Sequence, residues 1–326
     1  MRKPMIVLIS IFLIAAFGCT SPRIKLFPSQ TDPLQEFTLE GKTSEKILLL
    51  PIRGVISDNP EAGLLRSRPS AVQEAVSHLR KAEKDPMVKA VVLQLNSPGG
   101  SVTASDVLYN EIRRFKERTG RTVVAAMMDV AASGAYYIAL PADAIVAHPT
   151  TVTGSVGVIF IRPKVTGLME KIGVGVEVSK SGQNKDIGSP FRATTPEEAV
   201  IFQAMTDQLA GRFVDLVRKH RGFDPAAIAA VSSARIYLAE EALNLKLVDR
   251  IGYMEDALTE ARQRAEIPED SKVIVYRRTE YPDDNIYNPT TYYEGDRSAV
   301  IFDTGLSRLI PDLPSGFYYL WHPAAD

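Results

Sequence analysis

The run from Val123 to Leu140, VVAAMMDVAASGAYYIAL, carries the residues best suited to chemistry. Val123 to Met128 supplies β-branched and apolar side chains for one buried strand, and Ala135 to Leu140 suits the first turns of a helix. Between them stands Ser133-Gly134. A serine at such a junction projects its hydroxyl from a tight turn. The N–H groups at the helix start lack intrahelical acceptors and can face a developing oxyanion. Ser133 is therefore a candidate nucleophile and Gly134 a candidate oxyanion donor. The same residues also suit a small-residue turn with a capping serine, and the local pattern leaves both readings open.

A second turn bears on the same chemistry. Val88 to Leu95 reads as a strand apolar enough for a sheet covered on both faces, and it runs directly into Asn96-Ser97-Pro98-Gly99-Gly100. In α/β sheets ligands bind outside the carboxyl ends of the strands. Gly99 and Gly100 permit unusual φ and close backbone approach, so an N–H there can point at a carbonyl oxygen. With the two turns side by side, one oxyanion donor lies near Gly100 and a second at Gly134.

The elements that must position these turns follow from periodicity. Ile47 to Ile56 reads as a first strand, and Ser70 to Lys84 carries Val72, Ala75, Val76 and Leu79 at helical spacing. Ala104, Val107, Leu108, Ile112 and Phe115 mark one face of a helix that Gly120 ends, and Ala144 to Ala147 is strand-like. Strand, glycine turn, helix, strand is a right-handed crossover unit, and its repetition predicts a parallel sheet in an α/β fold. Val174 to Ser179 is also strand-like. Thr195-Pro196-Glu197-Glu198 opens a long helix to about Arg221, stopped by Gly222. A helix over Glu255 to Ala265 and a strand over Lys272 to Arg277 follow. The stretch from Glu280 to Asp326 is rich in tyrosine, proline and aspartate; its Phe317-Tyr318-Tyr319-Leu320-Trp321 suits an apolar groove, an interface or a membrane surface equally.

Composition narrows the function classes. The 326 residues are 45% hydrophobic and 24% charged, which is globular, and a net charge of -1 gives no footprint for nucleic acid. Cys19 is the only cysteine, so intrachain disulfides and cysteine metal clusters are excluded. His78, His148, His220 and His322 show no metal-ligand spacing, and neither a metal nor a cofactor is expected. Residues 1–19 read as an export segment: Arg2 and Lys3, an apolar run from Met5 to Phe17, then Gly18 and Cys19. The segment resembles a bacterial lipoprotein signal with Cys19 as the lipidated residue, beside a plain signal peptide or an uncleaved anchor. Residues 20–46, with Pro22, Pro28 and Pro33, read as a tether, 47–265 as the folded domain and 266–326 as a C-terminal extension.

NSPGG at 96–100, AASGAYYIA at 131–139, TGSVGVI at 153–159 and SGQNKDIGSP at 181–190 occur in an order that resembles the signal-peptide peptidase A family of serine proteases. That family shares its fold with the Clp protease and the crotonases, repeated ββα units around a parallel sheet. The resemblance spans roughly Ile47 to Tyr253 and implies Ser133 as nucleophile and Lys185 as general base. It also implies a homo-oligomer in which one subunit completes its neighbour's site. Three positions depart from the family pattern: Ala135, Ala234 and Lys246 stand where glycines are usual.

A serine–lysine dyad is physically sound. A lysine with a pKa near ~10.4 is almost wholly protonated at pH 7, and neutralising it costs roughly 4 to 5 kcal/mol. Burial can lower a lysine pKa by up to ~3 to 5 units, which supplies that shift, and Ser–Lys pairs are a known variant of the triad. Ser155 is placed to orient the amine. Lys180 is the second candidate base, and His148, between Ala147 and Pro149, is the candidate for a serine–histidine site. A penicillin-binding type of site is disfavoured, because Tyr136 rather than lysine follows Ser133 by three positions. The expectation is a membrane-associated serine endopeptidase of the bacterial cell envelope, cutting apolar peptide segments such as signal-peptide remnants. A crotonase-like acyl-thioester enzyme and a catalytically silent scaffold are the alternatives.

Overall fold

Within residues 46–53, KILLLPIR, Ile47 to Leu50 and Ile52 are buried, as a strand covered on both faces requires. The computed structural model describes residues 32–62, 67–281, 283–287 and 315–321; Cys19 and the proposed export segment lie outside them. The first half of the chain forms β1 (Gln35–Glu40), β2 (Lys46–Arg53), β3 (Glu61–Ala62), β4 (Ser67–Arg68), α1 (Ala71–Lys84), β5 (Val88–Ser97), β6 (Gly99–Ser101) and α2 (Val102–Thr119). Next come β7 (Thr122–Ala132), α3 (Gly134–Ala139), β8 (Ala144–Ala147), β9 (Val152–Gly154), β10 (Ile159–Ile161), α4 (Thr166–Ile172) and α5 (Pro196–Arg221). The remainder forms α6 (Pro225–Val231), β11 (Ile236–Leu238), α7 (Ala239–Asn244), β12 (Arg250–Ile251), α8 (Met254–Arg264), β13 (Lys272–Arg277) and β14 (Gly316–Leu320).

The central sheet has the order β1-β13-β2-β5-β7-β8-β12, parallel throughout except for β1, which is antiparallel to β13. The carboxyl end of β7 pairs instead with β9, which pairs in turn with β11. Alternation along the strands divides the core. Leu48, Leu50, Val91 and Leu93 face the layer of α1, α2, α3 and α5, while Ile47, Leu49, Ala90 and Val92 face α8. This is the expected mixed α/β fold with a mainly parallel sheet.

The helices start and stop where their caps are. Ser70 Oγ accepts from Gln73 N–H at 3.1 Å, and Ser101 Oγ accepts from Ala104 N–H at 3.2 Å. Gly120 and Gly222 end α2 and α5 in left-handed conformation. Thr195 and Glu198 close a capping box at the start of α5.

Three expectations need correction. The stretch read as a tether, 20–46, contains β1, whose half-exposed alternating pattern is that of an edge strand. No boundary falls at 265/266, because β13 lies between β1 and β2 in the central sheet. Val174 to Ser179 is not a strand: Val174, Val176 and Val178 alternate as a strand would, but the segment has no strand partner among the described residues and all three are exposed.

Candidate active site

Ser133 ends β7 and begins α3 at φ +53° and ψ -115°. Such backbone costs a non-glycine residue about 1 to 3 kcal/mol and persists only where the surroundings fix it. Here both sides are fixed. The Ser133 N–H donates to the Gly154 carbonyl at 2.8 Å, and the Ser133 carbonyl accepts from Tyr137 N–H at 2.9 Å. The hydroxyl does not cap α3; Oγ is buried and has no hydrogen-bond partner among the described residues. The sequence left a capping serine and a projecting serine open, and the geometry excludes the cap.

The glycine turn lies beside this corner because β5 and β7 are neighbours, with Ser97 opposite Ala131. Gly99 has φ +104°, and an added Cβ would collide with the Tyr319 carbonyl and reach 2.7 Å from Gly134 N. Its own N–H donates to Ser97 Oγ at 3.1 Å, so Gly99 shapes the turn and does not offer its N–H to the site. The Gly100 nitrogen lies 3.1 Å from the ideal Cβ position of Gly134, which brings the two glycine turns together beside Ser133. Two backbone donors beside an unpartnered, buried serine hydroxyl form an arrangement suited to acyl transfer through an oxyanion.

The remaining candidates separate. Ser155 follows Gly154, lies beside the Ser133 corner, has φ +54° and is nearly buried. Lys185 lies on an exposed loop, with its N–H on the Gly182 carbonyl at 3.1 Å; it does not bond Ser133 within the chain. Lys180 is engaged, with Nζ 2.8 Å from Asp186 and 3.0 Å from the Gln183 carbonyl. Arg192 also binds Asp186, at 2.7 Å, and Arg192 first and Lys180 second hold the Asp186 carboxyl well below the usual carboxylate range. His148 is bound at its N–H to Met127 O, well short of Ser133 along β7, and its Nδ1 lies 2.9 Å from Thr150 Oγ1. It lines a separate cavity of about 260 Å³ with Arg53, Asn96 and Asp129. Among the described residues no acidic, histidine or cysteine cluster suits a metal ion.

Sequence reasoning missed one part of the site. The side chain of Tyr319 is fully buried against Tyr137 and Phe213, with ring centroids 4.9 Å from each. The aromatic run 317–321 was visible, but its place beside Gly99 depends on a pairing distant in sequence.

A strand ending in a positive-φ serine with a buried hydroxyl, a helix behind it and a glycine turn against its first residue make a corner suited to a serine hydrolase. Comparison with known proteins makes the class specific. The model of peptidase family S49 matches residues 116–268. The putative signal peptide peptidase SppA of Enterococcus faecium is 34% identical over 304 residues, 90% of this chain and 87% of that protein. The chloroplastic serine protease SPPA of Arabidopsis thaliana is 32% identical over 243 residues, 74% of this chain and 36% of that protein. Protease 4 of Salmonella typhi is 37% identical over 191 residues, 59% of this chain and 31% of that protein. The chain thus spans about a third of the latter two. Among solved structures, a mutant of ClpP1 from Listeria monocytogenes aligns with 64% of this chain and 94% of its own, at TM-score 0.42 and 18% identity. The chain belongs to peptidase family S49, and it is a serine peptidase.

Proposed function

We propose that the protein is a membrane-associated, homo-oligomeric endopeptidase that cuts apolar peptide segments such as signal-peptide remnants, with Ser133 as nucleophile and Lys185 of a neighbouring subunit as base. The observation that carries this reading is the buried, unpartnered Ser133 Oγ beside the Gly100 and Gly134 N–H groups. Ser133 Oγ adds to the scissile carbonyl carbon while its proton passes to the neutral Lys185 amine. The oxyanion takes hydrogen bonds from Gly100 and Gly134, the C–N bond breaks, and the leaving amine receives the proton. Water then releases the acyl group by the reverse proton path.

Lys185 is exposed among the described residues, and a general base for Ser133 needs a site that excludes water, so the reading places Lys185 under a neighbouring copy. The surface around it supports cover by a second copy. Leu168, Ile172, Val176, Phe191, Val200 and Met205 are all exposed, Val200 at 69%, and they flank Lys185 on both sides in sequence. Exposed apolar side chains at this density in one segment suit association with another chain. Among the described residues no helix is long and apolar enough to cross a membrane. The reading puts the attachment at Cys19, the lone cysteine that follows the apolar run from Met5 to Phe17.

The test is hydrolysis of a fluorogenic apolar peptide by the full chain. Ser133→Ala is expected to lower kcat by at least ~10⁴-fold with melting behaviour unchanged. Retained turnover in that variant overturns the assignment. For the anchor, intact mass of membrane-extracted protein is expected to show a diacylglyceryl-modified chain beginning at Cys19, and Cys19→Ser is expected to release the protein from membranes.

A further inference from the structure

The loop that carries Lys185 is tied to α5 through the residue next to it. Lys185 N–H bonds the Gly182 carbonyl at 3.1 Å, Ile187 N–H the Asn184 carbonyl at 3.2 Å and Ser189 N–H the Asp186 carbonyl at 3.0 Å, so residues 182–189 are successive tight turns. Turns of this kind are mobile unless side chains anchor them. Arg192 supplies the anchor. Its guanidinium grips both oxygens of the Asp186 carboxylate, from Nε at 2.7 Å and from Nη2 at 2.9 Å, and Nη2 also donates to the Asp186 carbonyl at 3.1 Å. The other edge of the fork takes the Glu198 carboxylate, from Nη1 at 3.0 Å and through a second bond from Nη2. Planar pairing on both edges fixes orientation as well as distance.

Glu198 is itself fixed. It is buried in the first turn of α5, where its carboxylate accepts from Thr195 N–H at 3.1 Å and its own N–H donates to Thr195 Oγ1 at 3.2 Å. Lys185 is therefore one residue away from a carboxylate whose place is set by a 26-residue helix. The same helix exposes Val200 and Met205, surface that the proposed assembly covers. The cations around the loop divide accordingly. Lys164 Nζ donates to the Ser189 and Arg192 carbonyls at 2.6 and 3.1 Å, and Lys180 Nζ donates to the Gln183 carbonyl and to one Asp186 oxygen. The Lys185 amine has no partner among the described residues. Asp186 is the carboxylate nearest to it in the chain, and Arg192, then Lys180, hold that carboxyl ionised, well below the usual range. A carboxylate beside an amine favours the protonated form, the wrong one for a base. Arg192 occupies both of its oxygens.

We propose that Arg192 is the positioning residue for the base: it clamps Asp186 to Glu198, which presents Lys185 from α5 and keeps the Asp186 carboxylate from pairing with the Lys185 amine. The proposal rests on Lys185 as the base of the reaction above. Arg192 touches none of the reacting atoms and acts through Asp186. Lys180 reaches only one Asp186 oxygen, and without it Arg192 still grips both oxygens and the carbonyl. Loss of Arg192 has two consequences. The loop is no longer linked to α5, so the amine meets Ser133 in the productive geometry less often and kcat falls. Asp186 is also released toward its neighbour, so Lys185 holds its proton to higher pH. Only the first would follow from a loss of rigidity alone.

The test is the pH profile of kcat for the full-length oligomer on a fluorogenic apolar peptide, with assembly of each variant checked by light scattering. Arg192→Gln is expected to lower kcat at least ~10-fold at neutral pH with KM little changed, and to move the acid limb upward by about half a pH unit or more. In Arg192→Gln/Asp186→Asn the limb is expected to return to its parental position while kcat stays low, because the freed charge is gone and the link to α5 is still missing. Arg192→Lys, which keeps the charge and loses the fork, is expected to have a kcat between the parent and Arg192→Gln. A parental kcat and limb in Arg192→Gln overturns the proposal, and a lowered kcat with an unmoved limb overturns it in favour of a purely structural arginine. If Arg192→Gln does not assemble, Glu198→Gln replaces it, since glutamine keeps the capping box and weakens the clamp from the helix side. Its kcat is expected to fall at least ~3-fold, and an unchanged kcat overturns the proposal. Lys185→Arg separates the two levels of the argument. Turnover in that variant removes Lys185 as base and the proposal with it; inactivity there beside a parental Arg192→Gln removes the proposal alone.

Discussion

The Ser133 N–H donates to the Gly154 carbonyl, which fastens the end of β7 to the end of β9 at the residue that carries the hydroxyl. Ser155 follows at once, held by its own N–H on the Arg235 carbonyl at 2.9 Å. Two serines therefore leave adjacent strands side by side, both at positive φ. In the proposed reaction one of these serines is the nucleophile and the other orients the incoming amine.

Ser155→Ala is expected to lower kcat by roughly 10- to 100-fold, within the range of general-base effects. If Ser155 positions the Lys185 amine, the acid limb of the kcat profile also moves to higher pH. A variant with lower kcat and an unmoved limb would assign Ser155 a packing role instead.

Lys185→Arg is expected to be inactive despite keeping its charge, because arginine does not lose its proton at accessible pH. Lys180→Ala keeps most activity, since Lys180 serves the Asp186–Arg192 cluster. Mixed oligomers then decide where the base comes from. Refolded together in equal amounts, Ser133→Ala and Lys185→Ala chains recover about a quarter of wild-type activity if each site draws its lysine from the next subunit in a closed ring. No recovery means that both residues act within one chain.

The residues at which sequence and structure agree are those whose signals are local. β2, β5, β8, α1, α2 and α5 lie within a few residues of their expected bounds, because apolar periodicity and caps such as Ser101, Thr195 and Gly222 act over one or two turns. The Ser133 corner and the Gly99-Gly100 turn were legible for the same reason. β1 was missed because an edge strand buries only one face, and the pairing of β14 with β6 was missed because no local pattern reports a partner more than 200 residues away. Val174 to Ser179 erred in the opposite direction: alternation is present, and a partner strand among the described residues is not.

The family departures at Ala234 and Lys246 fall on left-handed backbone, at φ +57° and +58°. An L-residue there costs about 1 to 2 kcal/mol, and glycine removes that cost while adding about 0.4 to 1 kcal/mol of unfolded-chain entropy. Ala234→Gly is accordingly expected to raise unfolding free energy by about 0.5 to 1 kcal/mol in urea titration. A decrease would show that the Ala234 methyl, which lies close to Gly157, contributes more by packing than its backbone costs.

Acid is expected to loosen α5 from α2. His220 Nε2 lies 2.8 Å from the Tyr109 hydroxyl, and burial, then the nearby Lys219, Lys116 and Arg221 charges, lower its pKa from 6.5. The unfolded chain therefore takes up this proton first as pH falls below about 6.5, and the folded state loses stability from there down to the folded pKa. The decrease in Tm between pH 7.5 and 5.5 should be smaller in His220→Gln than in the parent. An unchanged decrease would exclude His220 as its source.

The central claim is that Ser133 is a nucleophile made reactive by a lysine amine, and active-site labelling tests it most directly. The full-length oligomer is treated with a fluorophosphonate, digested and mapped by mass spectrometry. The adduct is expected on Ser133 alone, forming faster as pH rises from 6 to 9, and its rate in Lys185→Arg is expected to fall at least ~10²-fold. Labelling at another serine, or equal labelling of Ser133 in Lys185→Arg, would contradict the account.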